Sequence, residues 1–500
     1  MGVSPTTLFM EYQVKENLIV IMADQLRWDV LGKGYTPNID SLMDESTVFD
    51  NAYCASPLCV PSRGAFFTGL CPNTNGSLIN PWEKKDAQHG DVKKEYENLY
   101  QMMEQDWYSI HSGKQHLFTE GGKLEHTDEN VVWASTEHTY KEMLKSENVR
   151  QPGTLPKFKT LVPEMVGGKN TKIAKYSNAE TGCYPYDEKY FFDKYFTTCA
   201  LDAIEKRDKT KPLFLSAMYL APHPPLEIPE PWYSRVKDDF ELPENVGKFY
   251  EYQSPLQMYN LTGIVGSHYT LDQWKEAWRV YLGLVSMLDD CVGQIIALLQ
   301  KEGIYDNSMI IFTADHGDML GSHKLFQKMC MYQESAKIPL SIKMPKSAGF
   351  KAQHIDEYVS HLDVMPTISE YFEVEGKNAY EGTSLIKMMR DGHDDSHSEY
   401  VFIQYDGNGA RSNFQRCILY KRHKLIVDLF KDEMFLELYN LDSDPIESNN
   451  LAFDESSSEL IEKMYRVLDK HMKDTHDLIS LPDLNLDEFR TSYCDFKVKQ

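Results

Sequence analysis

The sequence predicts an α/β fold built on a large, mixed but mostly parallel sheet flanked by helices, followed by a smaller C-terminal unit with a short antiparallel sheet and a terminal helix. Three observations predict it. Continuous apolar runs of strand length alternate with amphipathic helical stretches through most of the chain, which is the pattern of helices covering both faces of a parallel sheet. The apolar runs do not alternate with polar residues, as expected of strands buried on both faces. Near residue 391 the pattern changes to short alternating stretches. A chain of 500 residues is also longer than one core usually serves. The expected division is an α/β domain over 15–390 and an α+β subdomain over 391–500.

Taken in order, Leu18-Ile-Val-Ile-Met-Ala23 is the first buried strand, and Leu213-Phe-Leu-Ser-Ala-Met-Tyr219 and Met309-Ile-Ile-Phe-Thr-Ala314 are two more. Cys59-Val-Pro61-Ser-Arg63 leads into a short apolar stretch closed by Gly69; proline near the start and glycine at the end predict a short helix. Trp274, Trp278, Tyr281, Leu282, Val285, Leu288, Val292, Ile295 and Ile296 recur at helical spacing, and this stripe predicts a long core helix over about 274–300. Asp391-Gly-His-Asp-Asp-Ser-His-Ser398 is polar and predicts a linker or exposed loop. Tyr400–Tyr405 and Lys424–Asp428 alternate as strands of a small antiparallel sheet, and a terminal helix is expected near 457–473.

The net charge of −24 excludes a general nucleic-acid binder, which carries a basic face. It also means that any site for an anion must supply its own local positive charge. No run reaches the roughly 18 consecutive apolar residues of a membrane helix, so no membrane partner is expected. The first residues lack a basic segment followed by an apolar core, which points to a cytoplasmic protein, or to a secreted or periplasmic one if a leader has been removed. The nine scattered cysteines show no CxxC pair and fit reduced thiols rather than a disulfide framework.

Two of the apolar runs end alike, the first in Asp24-Gln25 and the third in Asp315-His316-Gly317. Ligands of open α/β sheets bind beyond the carboxyl ends of the strands. Two such ends brought together would offer two carboxylates, an amide oxygen and an imidazole, a shell suited to a hard divalent cation. An Asp at a strand end serves as often as a helix N-cap, so neither pair identifies a metal site alone. Cys59 falls at or just before a helix N-terminus, where backbone N–H groups favour an anion. Arg63, one turn on, is placed to hold the Cys59 side chain or an oxidised form of it. A small buried thiol would fit the same position.

At this point the chain resembles the sulfatase family. Cys59-x-Pro61-Ser62-Arg63 with Thr68-Gly69 is similar to the family's maturation signature. Further matches follow in family order over about 15–452: Met22-Ala-Asp24-Gln25, Thr36-Pro-Asn-Ile-Asp40, Gly113-Lys114-Gln-His116-Leu117, Ala221-Pro-His223-Pro224, and Thr313-Ala-Asp315-His316-Gly317 with Leu320-Gly321 and His323. Lys328, Tyr332 and Glu334 come next, then Glu437-Leu-Tyr-Asn-Leu, Asp444-Pro445, Glu447 and Asn450-Leu451.

The resemblance implies an alkaline phosphatase-like fold and a sulfuric ester hydrolase. It implies that a maturation enzyme converts Cys59 to formylglycine, whose hydrate attacks sulfur. A geminal diol keeps a second hydroxyl that expels sulfate, where a thiol would stop at a dead-end adduct. A divalent metal, calcium first and magnesium or manganese as alternatives, is implied at Asp24, Gln25, Asp315, His316 and matured residue 59. Arg63, Lys114 and Lys328 are implied as the local positive charge, His116 as the acceptor of the proton that regenerates the aldehyde, and His223 or Lys328 as the donor to the leaving alcohol. The expected substrate is a small sulfated saccharide, with aryl sulfates as surrogates. Trp82, Tyr184, Tyr186, Trp232, Tyr233 and Tyr259 are candidates for stacking on it, core packing or surface exposure being at least as good an account of each. Gln25 and His316 depart from the commonest family pattern and also occur in relatives that cleave phosphonate monoesters and phosphodiesters. That activity is the rival reading, which retention of Lys114 and His116 disfavours. A non-catalytic anion-binding protein with unmodified Cys59 is the reading from another class. Oligomeric state, regiochemistry and exo or endo action are not legible.

Overall fold

The computed structural model describes residues 15–81, 88–122, 124–166, 170–409 and 411–493. Its strands in chain order are β1 (Asn17–Asp24), β2 (Thr47–Tyr53), β3 (Tyr108–Gly113), β4 (Val131–Thr136), β5 (Lys159–Val166), β6 (Asn170–Ser177), β7 (Thr181–Tyr184), β8 (Leu213–Pro222), β9 (Leu226–Pro229), β10 (Ser308–Ala314), β11 (Lys337–Ile338), β12 (Leu340–Lys343) and β13 (Gln353–Ser360), followed by β14 (Tyr400–Tyr405), β15 (Phe414–Tyr420), β16 (His423–Phe430) and β17 (Glu433–Asn440). The central sheet runs β11-β2-β12-β10-β1-β8-β3-β4, with β13 paired to β2. From β10 to β4 every pairing is parallel, and β12 is the antiparallel strand that joins this core to β2. β1 is central and every one of its residues is buried, as its unbroken apolar run requires. The architecture is the mixed, mostly parallel sheet with a separate small antiparallel sheet that the sequence predicts.

Helices cover the sheet. Leu271–Lys301 starts at a Thr270–Gln273 capping box and buries its apolar stripe in the main core. It is long and apolar enough to cross a membrane by length and composition, and most of it is buried inside the molecule. The helix Cys59–Thr68 is buried at all ten positions and ends at Gly69 in the left-handed conformation, φ 68°.

The small sheet runs β14-β15-β16-β17, antiparallel throughout. One of its faces packs on the amphipathic helix Ser458–Asp474 to form a second apolar core. The junction between the two units is shared. Leu256, far upstream, belongs to the second core, while Val401 and Ile403 of β14 belong to the first. Buried polar groups cross it too: Glu437 accepts from Ser254 N at 2.9 Å and Tyr332 Oη at 2.7 Å, and Lys424 pairs with Glu447 at 2.6 Å.

Candidate active site

The site lies where β1 and β10, adjacent and parallel, both end. Asp24 is the last residue of β1, and the chain then turns through Gln25 with φ 69°, a left-handed conformation that a non-glycine residue adopts only under constraint. The constraint is visible: Asp315 Oδ1 accepts from Gln25 N at 3.1 Å and from His316 N at 2.9 Å, tying the two strand exits together. Cys59 is the first residue of its helix. Its Sγ lies 3.1 Å from His316 Nε2 and 3.8 Å from both Asp24 Oδ1 and Lys114 Nζ. The ligand atoms of Asp24, Cys59, Asp315 and His316 fall within 4.8 Å of one another, all buried.

The positive charge that the whole chain lacks is concentrated here. Arg63 is fully buried and reaches Asp315 Oδ2 at 3.0 Å through Nε and Asp24 Oδ2 at 3.4 Å through Nη2. Its Nη1 donates to Lys114 O at 2.6 Å. The guanidinium thus bridges the two carboxylates and the Lys114 backbone, rather than hydrogen-bonding the Cys59 side chain as its helical spacing suggested. Lys114 pairs with Asp24. Burial and Cys59 push the Asp24 carboxyl up, but Lys114, His223 and Arg63 outweigh them and hold it well below the usual carboxylate range. Burial likewise opposes ionisation of Cys59, yet Lys114, Lys328 and His316 bring its thiol well below its ordinary value. Position 59 is therefore built to carry negative charge.

Lys114 reaches this point because β3 ends in Gly113. Its φ is 104°, and a Cβ there would sit 1.8 Å from Met218 O on β8, so only glycine lets the strands stay paired. His116, two residues on and half-buried, places Nε2 at 3.3 Å from Glu137 Oε2, while its buried Nδ1 has no hydrogen-bond partner among the described residues. Burial and Lys114 lower the basicity of His116, but Cys59 and Glu137 outweigh them and raise it. Burial raises the Glu137 carboxyl, and His116 with Lys114 and Lys141 brings it down to about 2.

On the other side, β8 runs into the turn that carries His223. Buried Asp193 accepts from Leu220 N at 2.7 Å and Ala221 N at 2.9 Å, fixing that turn. His223 Nδ1 lies 2.5 Å from Pro224 O, and its Nε2 lies 2.8 Å from Lys328 Nζ. Burial and the Lys328 charge lower His223 to about 4. Lys328 also donates to Gln25 Oε1 at 2.7 Å. It stands on an irregular loop after β10 in which Leu320, His323, Lys324, Gln327 and Met329 all have positive φ. The structure thus brings together Asp24, Gln25, Cys59, Arg63, Lys114, His116, His223, Asp315, His316 and Lys328.

The donor set fits a hard divalent cation: two carboxylates and one imidazole converge with Cys59 on one buried point, and Gln25 follows Asp24 directly at the strand end. His316 is oriented for such a role, since its Nδ1 lies 3.0 Å from Gly317 O and so keeps Nε2 free of the backbone.

Several residues escaped the sequence. Glu137 supports His116, and Asp318 hydrogen-bonds the Gln25 amide. Arg27, itself paired with Asp29, donates to Asp318 O at 3.1 Å and Met319 O at 3.2 Å. Asp318 follows directly on the Asp315-His316-Gly317 run, so position was its one available signal. Among the aromatic candidates, Tyr184 and Trp232 are core residues, 1% and 6% exposed, whereas Tyr259 is 57% exposed. Trp82 lies outside the described residues.

Comparison with known proteins gives the family. The sulfatase family model matches residues 16–374, and the model of the N-sulphoglucosamine sulphohydrolase C-terminal region matches 321–474. An arylsulfatase of Clostridium perfringens is 26% identical over 486 residues, covering 92% of this chain and 95% of its own. An N-acetylglucosamine-6-O-sulfatase of Bacteroides thetaiotaomicron is 23% identical over 481 residues, covering 83% and 78%. The solved phosphonate monoester hydrolase of Agrobacterium radiobacter shares the fold, with a TM-score of 0.73 at 18% identity over 92% of this chain and 96% of that one. With a family model spanning well over half of its length, the chain belongs to the sulfatase family and is a sulfuric ester hydrolase.

Proposed function

We propose that the protein releases inorganic sulfate from a small sulfated saccharide, using residue 59, matured from cysteine to formylglycine, as nucleophile. The observation that carries this reading is the convergence on buried Cys59 of His316 Nε2 at 3.1 Å and Lys114 Nζ at 3.8 Å, local positive charge in a chain of net charge −24. The saccharide is favoured by the N-acetylglucosamine-6-O-sulfatase among the relatives. Asp24, Gln25, Asp315, His316 and residue 59 would hold a divalent cation, calcium by first choice. Such an ion, when bound, polarises sulfate oxygens and favours the ionised nucleophile.

The remaining steps belong to the chain's own side chains. Lys114 and Lys328 flank position 59 and stabilise the negative charge that grows on the sulfuryl oxygens. Arg63 holds Asp24 and Asp315 in place. His116 with Nε2–H toward Glu137 keeps the Nδ1 lone pair available, which suits it to take the proton from the second hydroxyl of residue 59. On the leaving-group side, His223 is kept neutral, with Nδ1–H donated to Pro224 O and Nε2 accepting from Lys328. The transferable proton there is that of the Lys328 ammonium, so Lys328 is the donor to the leaving alcohol.

A phosphonate monoester or phosphodiester hydrolase is the second reading, favoured by Gln25 and His316 and disfavoured by Lys114 and His116 beside the nucleophile. The test is sulfate release from a panel of sulfated mono- and disaccharides, run beside a phosphonate monoester with calcium present. Maturation is checked first by mass, since conversion of cysteine to formylglycine removes about 18 Da, or nothing net once hydrated. Wild type is expected to release sulfate and Cys59→Ala to release none. Faster turnover of the phosphonate would favour the second reading. Absence of turnover by fully matured protein would favour an anion-binding protein without catalysis.

A further inference from the structure

Gln25 stands between two groups that each admit one kind of hydrogen bond. Asp318, fully buried, receives the Gln25 Nε2–H on Oδ2 and Leu320 N–H on Oδ1 at 2.9 Å. Lys328 Nζ donates to Gln25 Oε1 at 2.7 Å and to His223 Nε2 at 2.8 Å. A carboxylate only accepts and an ammonium only donates. The amide therefore has one orientation that satisfies both neighbours, dictated by chemistry rather than by a choice between its O and N atoms. The result is a chain of consistent polarity from Asp318 through Gln25 and Lys328 to His223. Arg27 anchors its far end by binding Asp318 O at 3.1 Å and Met319 O at 3.2 Å.

We propose that Asp318 is a positioning residue that acts through the Gln25 amide to fix the Lys328 ammonium in the active site. The proposal rests on the sulfatase reading for what Lys328 does. The neutral amide at position 25 has no charge of its own with which to hold a lysine on a loop rich in left-handed residues. Asp318 supplies that charge one hydrogen bond further out and stops the amide from turning over, which would set Nε2–H against the ammonium. The carboxylate is needed as such, because both of its oxygens receive N–H groups. An asparagine side chain in its place can satisfy Leu320 or Gln25 but not both.

The experiment is a charge relocation. In Asp318→Asn either Leu320 N–H or the Gln25 amide loses its acceptor, and in Gln25→Glu two carboxylates face each other. In the double variant the amide introduced at position 318 can accept from Leu320 N and donate to the carboxylate introduced at position 25. The other oxygen of that carboxylate accepts from Lys328, so the chain closes again with the bond between positions 25 and 318 reversed. The readouts are kcat and KM on the sulfated saccharide that the wild type hydrolyses, whose alcohol needs the Lys328 proton to leave, calcium affinity by calorimetry with the metal alone, and the melting midpoint. We expect each single variant to lose about 10- to 100-fold in kcat or calcium affinity, as loss of a supporting partner does at metal sites. KM and melting midpoint should change little, and the double variant should recover most of the loss. Asp318→Asn with wild-type kcat and calcium affinity would overturn the proposal, as would a double variant no better than Gln25→Glu; that second comparison holds even if Asp318→Asn fails to fold. A wild type that binds calcium but hydrolyses no sulfate ester would overturn the functional reading alone, leaving the calcium affinities to decide the role of Asp318. A wild type with neither property would overturn both.

Discussion

Among single residues, the division of labour between Lys328 and His223 has a measurable consequence. Lys328 contacts His223 Nε2 at 2.8 Å, and His223 spends its other nitrogen on a backbone carbonyl. If the ammonium delivers the proton to the leaving oxygen, the need for it scales with the basicity of that oxygen. Lys328→Ala should therefore lower kcat on a sugar sulfate, whose alcohol leaves poorly without a proton, by about 10²- to 10⁴-fold. It should lower kcat on 4-nitrophenyl sulfate, whose phenolate leaves unaided, by much less. Equal losses on both esters would show that Lys328 serves sulfate binding alone. The residues of this pair were legible in the sequence as family positions, but their partnership was not. Lys328 and His223 are about a hundred residues apart, and only the fold decides which of them holds the proton.

At the level of elements, what could be read in advance divides along local and non-local contacts. Cys59 with Arg63 and Asp315 with His316 lie within a turn of each other, so spacing alone announced them. The strands β1, β8 and β10 were equally plain, because burial on both faces leaves an unbroken apolar run. Glu137 was invisible because its approach to His116 follows from the parallel pairing of β3 and β4, in which Gly113 lies opposite Thr136. Tyr184, at the end of the short strand β7, and Trp232, in a connecting segment, could not be told from exposed aromatics in the sequence, since such a residue is buried or exposed according to what packs over it. The same pairing geometry yields a prediction. Gly113→Ala would drive a Cβ into Met218 O, at 1.8 Å before relaxation, and strain a φ of 104°. β3 would have to part from β8 just where Lys114 N bonds Met218 O at 2.9 Å. The expected cost is about 3 kcal/mol in stability, with kcat falling as Lys114 moves. Gly303→Ala is the control. Its φ is 71° with open space around it, so it should cost only about 1 kcal/mol and leave turnover alone. A similar fall in the melting midpoint for both variants would mean that backbone conformation, not the close approach of β3 to β8, is what position 113 requires.

For the molecule as a whole, the two units are joined through a buried layer of carboxylates that the sequence did not reveal, because an alternating strand reads as having its polar positions on solvent, whereas β16 and β17 are buried on both faces through Lys424–Leu429 and Phe435–Tyr439. Asp428 on β16 accepts from Ser254 Oγ at 2.7 Å, and Glu437 on β17 accepts from Ser254 N, Tyr332 Oη and Tyr439 Oη. Burial raises both carboxyls to about 7, with the hydrogen bonds opposing it. The folded protein therefore keeps these protons through a range in which the unfolded chain, with ordinary carboxyls near 4, has already released them. Their contribution to stability is fully present below about pH 4 and is lost as pH rises through about 7. Each group accounts for about 4 kcal/mol across that window, and the two titrate as a pair because they interact. Buried, cation-paired acids such as Asp24 slope the other way, so the informative quantity is the difference between variants rather than the wild-type profile. Asp428→Asn and Glu437→Gln should each stabilise the protein at pH 8 relative to pH 5 when compared with wild type, flattening the fall of the melting midpoint over that interval. Tyr332 lies on the stretch just beyond Lys328 and is hydrogen-bonded to Glu437. Ionisation of Glu437 would place an unneutralised charge against that stretch, so the same variants should also hold kcat more constant toward alkaline pH. Parallel midpoint-against-pH curves for wild type and both variants would mean that these carboxyls are already ionised in the folded protein at neutral pH, and that the junction is held by charged rather than neutral hydrogen bonds.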